Sequence, residues 1–524
     1  MRSDVAALYA RILRHFSRPL LRPRVVVALP LLALAGVVAG GCAIDRQKEI
    51  DLYRQVLDGP DTRPTEYAVG EPLTLTTALQ LANQHNEQLA LAGEDYVQAL
   101  IDKDRAAVNF FPTITLVPSY SIADADDDSG GRRVSGGGTA DPNELLNRSS
   151  LSTGDGRLDV PVNANVNVFR GFRDVANIRR AGADIDRFKA LLLDLKATVM
   201  LDVASTYYQV LRSEATVRVL ESSSQIQNAR VSEMRARDRV GSARKLDVAQ
   251  AEAQAANTRA QLASARADVR NSRTLLAFLI DAPTKGAPLV DRLEVPPEPV
   301  DLEATMERAE ASRQDLVAAR AAVRAAGQNV QGAIGQYYPS ISVNFNYYLS
   351  RQSSPENSLW NALVSLNLPI FTAGRIHADV RTAMSQLRQA ELNEQYLRRR
   401  ILQQATTAIE NLQTSARRLV ELRIAVDAAQ QALDVAEGSY AAGTGIYLER
   451  LVAQDQLLNA QLQLASEEYN LKLQYLNLLR VIGELRRPPT EGAATQPSTR
   501  LLTTTRPADT QPATATQPAT RPLP

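Results

Sequence analysis

Residues 360–375 read WNALVSLNLPIFTAGR, and residues 157–173 read RLDVPVNANVNVFRGFR. In both stretches apolar side chains alternate with polar ones over about ten residues, which predicts a β-strand with one apolar face and one face rich in Asn and Ser. Each stretch then enters a span without proline, of 118 residues between Pro369 and Pro488 and of 121 residues between Pro161 and Pro283. These spans are rich in Ala, Leu, Gln, Arg and Glu, and they predict very long helices.

The chain contains an internal duplication. Residues from Leu75 to Tyr120 match residues 227 positions later, and residues from Phe169 to Ser264 match residues 202 positions later. The first copy therefore carries 25 extra residues between Pro112 and Phe169, in an Asp- and Gly-rich segment that we expect to be a solvated loop. Each copy is predicted to contain a helix, two strands, a long helix, a turn and a further helix.

The long helices show the apolar spacing of a coiled-coil seam, with apolar residues recurring three and four positions apart. About 70 residues of helix from 171 to 240 would extend roughly 105 Å, so we expect an elongated protein. Gly241, Gly443 and Gly445 are the predicted turns between helices. The stripes are Ile185, Phe188, Leu192, Leu195, Val199, Val203, Tyr207 and Val210 in the first copy, and Leu419, Leu422, Val426, Ala429, Leu433 and Ala436 in the second.

Four strands are predicted, at about 112–123, 157–169, 339–350 and 359–370, and each has the length of a tilted membrane-spanning strand. The mature chain has no uninterrupted apolar run of 18 residues, so any crossing of a membrane must use strands in a closed barrel. Four strands cannot close a barrel, and eight would enclose only side chains. Three copies would supply twelve strands, which is the smallest such number that leaves a wet lumen.

The N-terminus has the pattern of an export signal. A stretch with six Arg residues precedes the apolar run Val25–Ala39, and Gly41 precedes Cys42, the only cysteine. We therefore predict a lipoprotein signal peptide at 1–41 and fatty acylation of Cys42. An uncleaved anchor helix is the alternative.

Composition argues against catalysis and nucleic-acid binding. Without residues 1–41 the chain is near −4, so no basic surface for nucleic acid is expected. The three His residues are scattered, and Gly136–Gly138 lacks the following Lys and Ser or Thr of a phosphate loop. We predict no catalytic residues, no metal site and no cofactor.

Residues 70–483 resemble the TolC-like outer membrane efflux protein family. The resemblance rests on the helix start LTTAL at 75–79, on Pro112 and Pro339 at helix-to-strand junctions, and on LPIFTAGR at 368–375. It rests also on two helix-tip motifs, at 240–248 and 440–449. Cys42 points to the lipidated branch.

The resemblance implies a mixed α/β membrane protein that forms a 12-stranded barrel and an α-helical tunnel as a homotrimer. It implies an outer-membrane, lipid-anchored protein that extends into the periplasm. Its function would be the passive exit duct of a tripartite efflux or type I secretion system, opened by a periplasmic adaptor and fed by an inner-membrane pump of the RND or ABC type. A periplasmic coiled-coil scaffold or adaptor that crosses no membrane is the alternative.

The resemblance also assigns the residues of the periplasmic mouth. Glu449 aligns with an acidic residue of the aperture, but a second acidic position holds Val452 and a basic latch position holds Gly445. For Asp247 and Glu449, the alternative is a pair of solvated carboxylates favoured by a helix N-terminus. The residues expected at the tips, where the adaptor docks, are Gly241, Leu246, Asp247, Tyr440, Gly443 and Gly445.

The predicted domain order follows from the duplication. An N-terminal anchor segment at 42–73 precedes the first repeat at 74–283, a linker at 284–300 and the second repeat at 301–483. The remainder, 484–524, is rich in Thr and Pro, and we expect it to be disordered.

Overall fold

A computed structural model describes residues 45–58, 67–68, 70–121, 157–296, 301–351 and 358–485. The predicted signal peptide, Cys42, the loop at 122–156 and nearly all of the predicted tail lie outside the described residues. In the part that is described, no helix is both long and apolar enough to cross a membrane.

The helices repeat at the two predicted offsets. The second helix and its later counterpart differ by 227 at both ends, and the two 67-residue helices differ by 202 at both ends. The predicted duplication and the predicted long helices are confirmed. The helices are α1 Arg46–Asp58, α2 Leu75–His85, α3 Glu87–Val108, α4 Arg173–Arg239, α5 Lys245–Ile280, α6 Leu302–Ser312, α7 Gln314–Ile334, α8 Arg375–Ala441 and α9 Tyr447–Val481.

The single helix predicted at the start of each repeat is wrong, because two helices form there. At Asn86 and Arg313 the backbone is extended, with ψ of 119° and 124°. A Cβ on Gly483 would lie only 2.9 Å from the carbonyl carbon of Ser312, so the chain after α9 packs directly against the second break. This close approach joins distant residues, and a local pattern does not reveal it.

The strands form one antiparallel sheet and one short parallel pair. The sheet contains β2 Thr113–Leu116, β3 Ser119–Ser121, β4 Arg157–Arg170, β6 Ser340–Ser350 and β7 Trp360–Asn367, in the order β2-β4-β6-β7 with β3 also paired to β4. β1 Leu73–Thr74 pairs in parallel with β5 Leu289–Val290.

Two predicted strands differ from those observed. The strand expected at about 112–123 is divided into β2 and β3, since Pro118 has no N–H to donate to the ladder. The strand expected at 359–370 ends at Asn367, shortly before Pro369. The linker predicted at 284–300 contributes β5, which the sequence pattern did not predict.

The sheet has the two faces that the alternation predicts. Val343 pairs with Val166 and Val364, while the neighbouring Asn344 pairs with Asn165. Directly paired residues of antiparallel strands share a face, so one face is apolar throughout. The other face carries Asn, Ser and Thr apart from Leu363, and Asn346 Nδ2 donates to Asn361 Oδ1 at 2.9 Å.

The described residues fall into two compact units. The first contains α1, the sheet, α3, α7 and the first turns of α4 and α8, up to Lys196 and Tyr396. The second contains the β1–β5 pair, α2, α5, α6, α9 and the remainder of α4 and α8. In the second unit the hydroxyl of Tyr207 lies 2.9 Å from the carbonyl oxygens of both Leu73 and Val290, which fixes the parallel pair on α4.

Antiparallel coiled-coil geometry joins α4 to α5, and we call this pair the first hairpin and α8 with α9 the second. Polar contacts recur every seven residues along both helices of the first hairpin, as a heptad repeat requires. They join Glu214 to Arg273 at 2.5 Å, Glu221 to Arg266 at 2.8 Å, Asn228 to Arg259 at 2.7 Å and Arg235 to Glu252 at 2.7 Å.

The two predicted seams differ in burial. Leu192, Val199, Val203, Tyr207 and Val210 of the first seam are buried, whereas all six residues of the second seam are only partly buried. The same helical pattern therefore leaves α8 with more apolar surface uncovered than α4.

Candidate functional site

The tips of the two hairpins share one turn. Gly241 and Gly443 have left-handed backbone angles, with φ of 74° and 75°, which glycine adopts without steric cost. The N–H of Ser242 donates to Arg237 O at 2.8 Å, and the N–H of Thr444 donates to Ser439 O at 3.0 Å. These bonds satisfy carbonyls left free at the helix ends, so both tips are helix-terminating turns of the Schellman type.

The following helices begin with equivalent carboxylates in different surroundings. Asp247 accepts from Arg244 N–H at 3.3 Å, and Glu449 accepts from Ile446 N–H at 3.4 Å. Asp247 is 6% exposed and also accepts from the Arg244 guanidinium at 2.9 Å and 3.1 Å. The Glu449 residue is exposed. Both carboxylates therefore cap a helix, and the interpretation of Asp247 as a solvated carboxylate is wrong.

A buried ion-pair cluster surrounds Tyr440. Arg450 is 3% exposed, and its guanidinium lies 3.4 Å from a Glu233 oxygen, 3.8 Å from a Glu437 oxygen and 5.3 Å from the Tyr440 ring centroid. Arg237 also lies over this ring, at 5.2 Å, and contacts Glu233 at 2.8 Å. We call Arg230, Glu233, Arg237, Glu437, Tyr440 and Arg450 the Tyr440 cluster.

The Tyr440 cluster joins the first hairpin to the second within one chain. Arg230 and Glu233 lie on α4, Glu437 and Tyr440 on α8, and Arg450 on α9. Arg230 forms an ion pair with Glu437 across the two helices. Beside the cluster, Met234, Ala251 and Tyr447 form a small apolar core.

Burial shifts two titrating groups near the tips. It raises the pKa of the Tyr447 phenol, an effect opposed by the positive charge of Arg230. It also raises the pKa of the Asp455 carboxyl, which accepts a hydrogen bond from the Gln254 amide. The charged form of each group is disfavoured because the surrounding helices remove water.

Apolar side chains remain exposed at both tips. Leu246 and Leu448 occupy equivalent positions 202 residues apart, and both are exposed. Val240, Ile446 and Val452 are exposed as well. Gly445 has no space for a side chain, since a Cβ would lie 3.0 Å from the Ser439 Cβ.

The structure thus brings the predicted tip residues together at two turns, while Cys42 lies outside the described residues. Sequence reasoning identified Tyr440 but missed the arginines and glutamates around it. One signal could have found Arg450: its counterpart in the first copy is Val248, so a charge replaces an apolar seam residue. In the described part of the chain, no group of three or more His, Cys, Asp or Glu residues is placed to hold a metal ion.

The chain matches known channel proteins over most of its length. The family model described as "Outer membrane efflux protein" matches residues 78–281 and 305–484. BepC of Brucella suis, an outer membrane efflux protein, is 27% identical over 331 residues, which are 62% of this chain and 72% of BepC. SilC of Salmonella typhimurium, a probable outer membrane lipoprotein, is 26% identical over 178 residues, which are 33% of this chain and 38% of SilC.

The fold is that of a solved outer membrane protein. The crystal structure of VceC from Vibrio cholerae superposes with a TM-score of 0.67 at 20% identity, covering 78% of this chain and 96% of VceC. The match of the family model covers both copies of the duplication, with both hairpins. The chain belongs to the outer membrane efflux protein family.

Proposed function

We propose that three copies of this chain form the passive exit channel of a tripartite export system. The observation that carries the proposal is the open sheet: in the described part of the chain, β2 and β7 each pair on one side only. Two long free edges on a sheet with one apolar face are unfavourable in isolation. Three such sheets joined edge to edge would close a 12-stranded barrel, with the apolar face towards lipid and the Asn-rich face towards water.

The uncovered surface of α8 supports a trimer. Leu392 on α8 is 62% exposed, whereas its counterpart on α4, Ala190, is 3% exposed. Leu402, Val420, Ile424 and Val435 are exposed on the same helix. Burial of apolar area favours association, so α8 is the face that we assign to contacts between protomers.

The hairpin tips would form the periplasmic mouth. The exposed Leu246 and Leu448, beside Gly241 and Gly443, offer an apolar surface at which a periplasmic adaptor would dock. Threefold symmetry would bring three Glu449 carboxylates around one axis, where they would favour cations. An inner-membrane pump of the RND or ABC type would deliver the cargo, and the channel itself would have no catalytic role.

The lipid anchor is proposed at Cys42, with cleavage after residue 41. The match to SilC, a probable outer membrane lipoprotein, supports it. Cys42→Ser should abolish incorporation of a labelled fatty acid. Undiminished label in that variant would contradict the proposal. The boundaries proposed for the repeats remain 74–283 and 301–483.

Cross-linking between sheet edges tests barrel closure. Ile114 on β2 and Val364 on β7 are exposed, and each would be replaced by Cys. In the outer membrane the double variant should give covalent dimers and trimers with a bis-maleimide, because the two edges meet between protomers. Each single variant and the wild type should stay monomeric, since a lipidated Cys42 has no free thiol.

A monomeric double variant would contradict the barrel. It would favour the alternative, a periplasmic coiled-coil scaffold that crosses no membrane. Glu449→Gln then tests the mouth separately. It should lower cation preference in single-channel recordings and leave the cross-linked trimer intact, and unchanged selectivity would place the constriction elsewhere.

A further inference from the structure

Aromatic residues concentrate where strands meet helices. Five of the nine Phe residues of the chain lie within a few residues of these junctions, and the pair Tyr337 and Tyr338 marks a further one. The junction preceding β2 carries Phe110 and Phe111, the one following β4 carries Phe169 and Phe172, and the one following β7 carries Phe371. Of these seven side chains, all except Phe169 are strongly exposed.

The four junctions lie at one end of the sheet. Thr113, at the start of β2, pairs with Asn165 near the end of β4. Ser340, at the start of β6, pairs with both Arg170 and Asn367, which end β4 and β7. The exposed aromatic side chains therefore come from four separate chain segments that the fold brings to the same edge. We call them the junction aromatics.

Phe172 is held in a strained conformation. Its φ is +61°, in the left-handed region that residues with a Cβ rarely adopt, and it is 65% exposed. Its ring makes edge-to-face contacts with Phe169 at 5.1 Å and with Tyr338 at 6.4 Å between centroids. The counterpart in the second copy is Gly374, which adopts φ of 82° without that cost. A strained backbone that presents a large ring to the surroundings suggests a partner for the ring.

A second set of aromatic residues lies at the opposite end of the sheet. Tyr347 pairs with Trp360, and Tyr348 and Tyr120 lie near the same end. The ten residues from Tyr338 to Tyr348 span about 33 Å along a strand. At the usual tilt of about 40° this is a height of about 25 Å, which matches the apolar band of outer-membrane barrels.

Side-chain chemistry is segregated between these levels. The exposed apolar residues on β2 and β7 between them are mainly aliphatic: Ile114, Leu116, Val364 and Leu366. Aliphatic side chains suit hydrocarbon, whereas Phe, Tyr and Trp are enriched at the level of lipid headgroups. A protein partner would not require this division along the strands.

We infer that the junction aromatics bind the headgroup region of the outer membrane's inner leaflet, with Phe172, supported by Phe169 and Tyr338, as the anchor. The partner is a phospholipid surface, and the junctions mark where the membrane ends along this chain. The inference rests on the proposed membrane-spanning sheet, and it adds the depth at which that sheet is held.

Fluorescence quenching by lipid tests the depth. Trp360 is the only tryptophan, so Trp360→Phe gives a silent background for single tryptophans. Phe172→Trp reports the junction, Val364→Trp the middle of β7, and Val240→Trp, exposed at a hairpin tip, is the matched control. The full-length variants would be reconstituted in phosphatidylcholine vesicles brominated either near the carbonyl end or near the methyl end of the acyl chains.

For Phe172→Trp, shallow bromine should quench about twice as strongly as deep bromine, because the ring sits at the interface. Val364→Trp should show the reverse order, and Val240→Trp should be quenched by neither lipid. Stronger deep than shallow quenching at position 172, or no quenching there while position 364 is quenched, would overturn the inference and leave the barrel intact. Loss of quenching at both positions would instead contradict the membrane-spanning sheet.

Discussion

The two hairpins are copies of one another, and they differ most where they meet. Both end in a left-handed glycine and restart with a carboxylate three residues inside the next helix. Around these turns the first hairpin contributes Arg230, Glu233 and Arg237, while the second contributes Glu437, Tyr440 and Arg450. Duplication therefore kept the backbone chemistry of the turn and changed the side chains that pack between copies.

The difference teaches which features the fold requires. A helix that reverses must satisfy its terminal carbonyls and amides, so the glycine and the cap are retained in both copies. The contact between copies has no such local rule, because each copy can complement whatever the other presents. Four predictions follow from comparing equivalent positions.

The largest effect is expected at the junction after β4. Gly171 corresponds to Ala373, so a tolerant position would accept Gly171→Ala. At Gly171, however, a Cβ would lie 2.1 Å from Gly335 O, while a Cβ at Gly374 meets nothing within 4 Å. We expect Gly171→Ala to cost about 3 kcal/mol or more, and the control Gly374→Ala about 1–2 kcal/mol from its positive φ alone.

Thermal loss of helical circular dichroism in detergent, with the yield of folded protein, measures both variants. A Gly171→Ala protein as stable as Gly374→Ala would show that the two junctions are equivalent, contrary to the close contact of Gly171 with Gly335.

The next effect is expected in the Tyr440 cluster. Arg450→Met keeps the length of the side chain but leaves Glu233 and Glu437 with less compensating charge in a partly buried site, which should cost about 3 kcal/mol. The control Arg235→Met breaks an exposed ion pair with Glu252 and should cost at most about 0.5 kcal/mol. Denaturant unfolding of the purified protein compares them, and equal losses would mean that the cluster does not join the hairpins.

A smaller difference should separate the two caps. Asp247→Ala removes a buried cap that also binds Arg244, with an expected loss of about 1–2 kcal/mol. Glu449→Ala removes an exposed cap, with an expected loss of about 0.5 kcal/mol. Hydrogen exchange of amides in the first turns of α5 and α9 measures each cap locally. Greater opening in α9 than in α5 would reverse the ranking.

The smallest effect concerns pH. Burial raises the pKa of Asp455 in the folded protein above its ordinary value of 3.8, so folding favours the protonated acid. This contribution is fully present below that value and is lost as pH rises through the folded pKa. Asp455→Asn should therefore be more stable than the wild type at neutral pH and equal to it in strong acid.

Thermal melts of both proteins at several pH values test this. The control Asp427→Asn removes an exposed carboxylate on α8 and should change stability little at any pH. A neutral-pH destabilisation by Asp455→Asn would show that the Gln254 contact outweighs the burial of the charge.

The sequence by itself determined the features that depend on neighbouring residues. The two 67-residue helices, the left-handed glycines at 241 and 443 and the two faces of the sheet all follow from local periodicity, proline placement and turn chemistry. These features repeat at fixed offsets, so each copy supported the interpretation of the other.

The tertiary structure alone decided how distant residues meet. It buried Arg450 between two glutamates, broke the helix at Arg313 and set Gly171 against Gly335. It also buried the seam of α4 while leaving much of the α8 seam uncovered. Both helices carry the same apolar spacing, and spacing specifies only that a stripe forms. Which partner covers the stripe depends on contacts between residues far apart in the chain, and no local pattern encodes them.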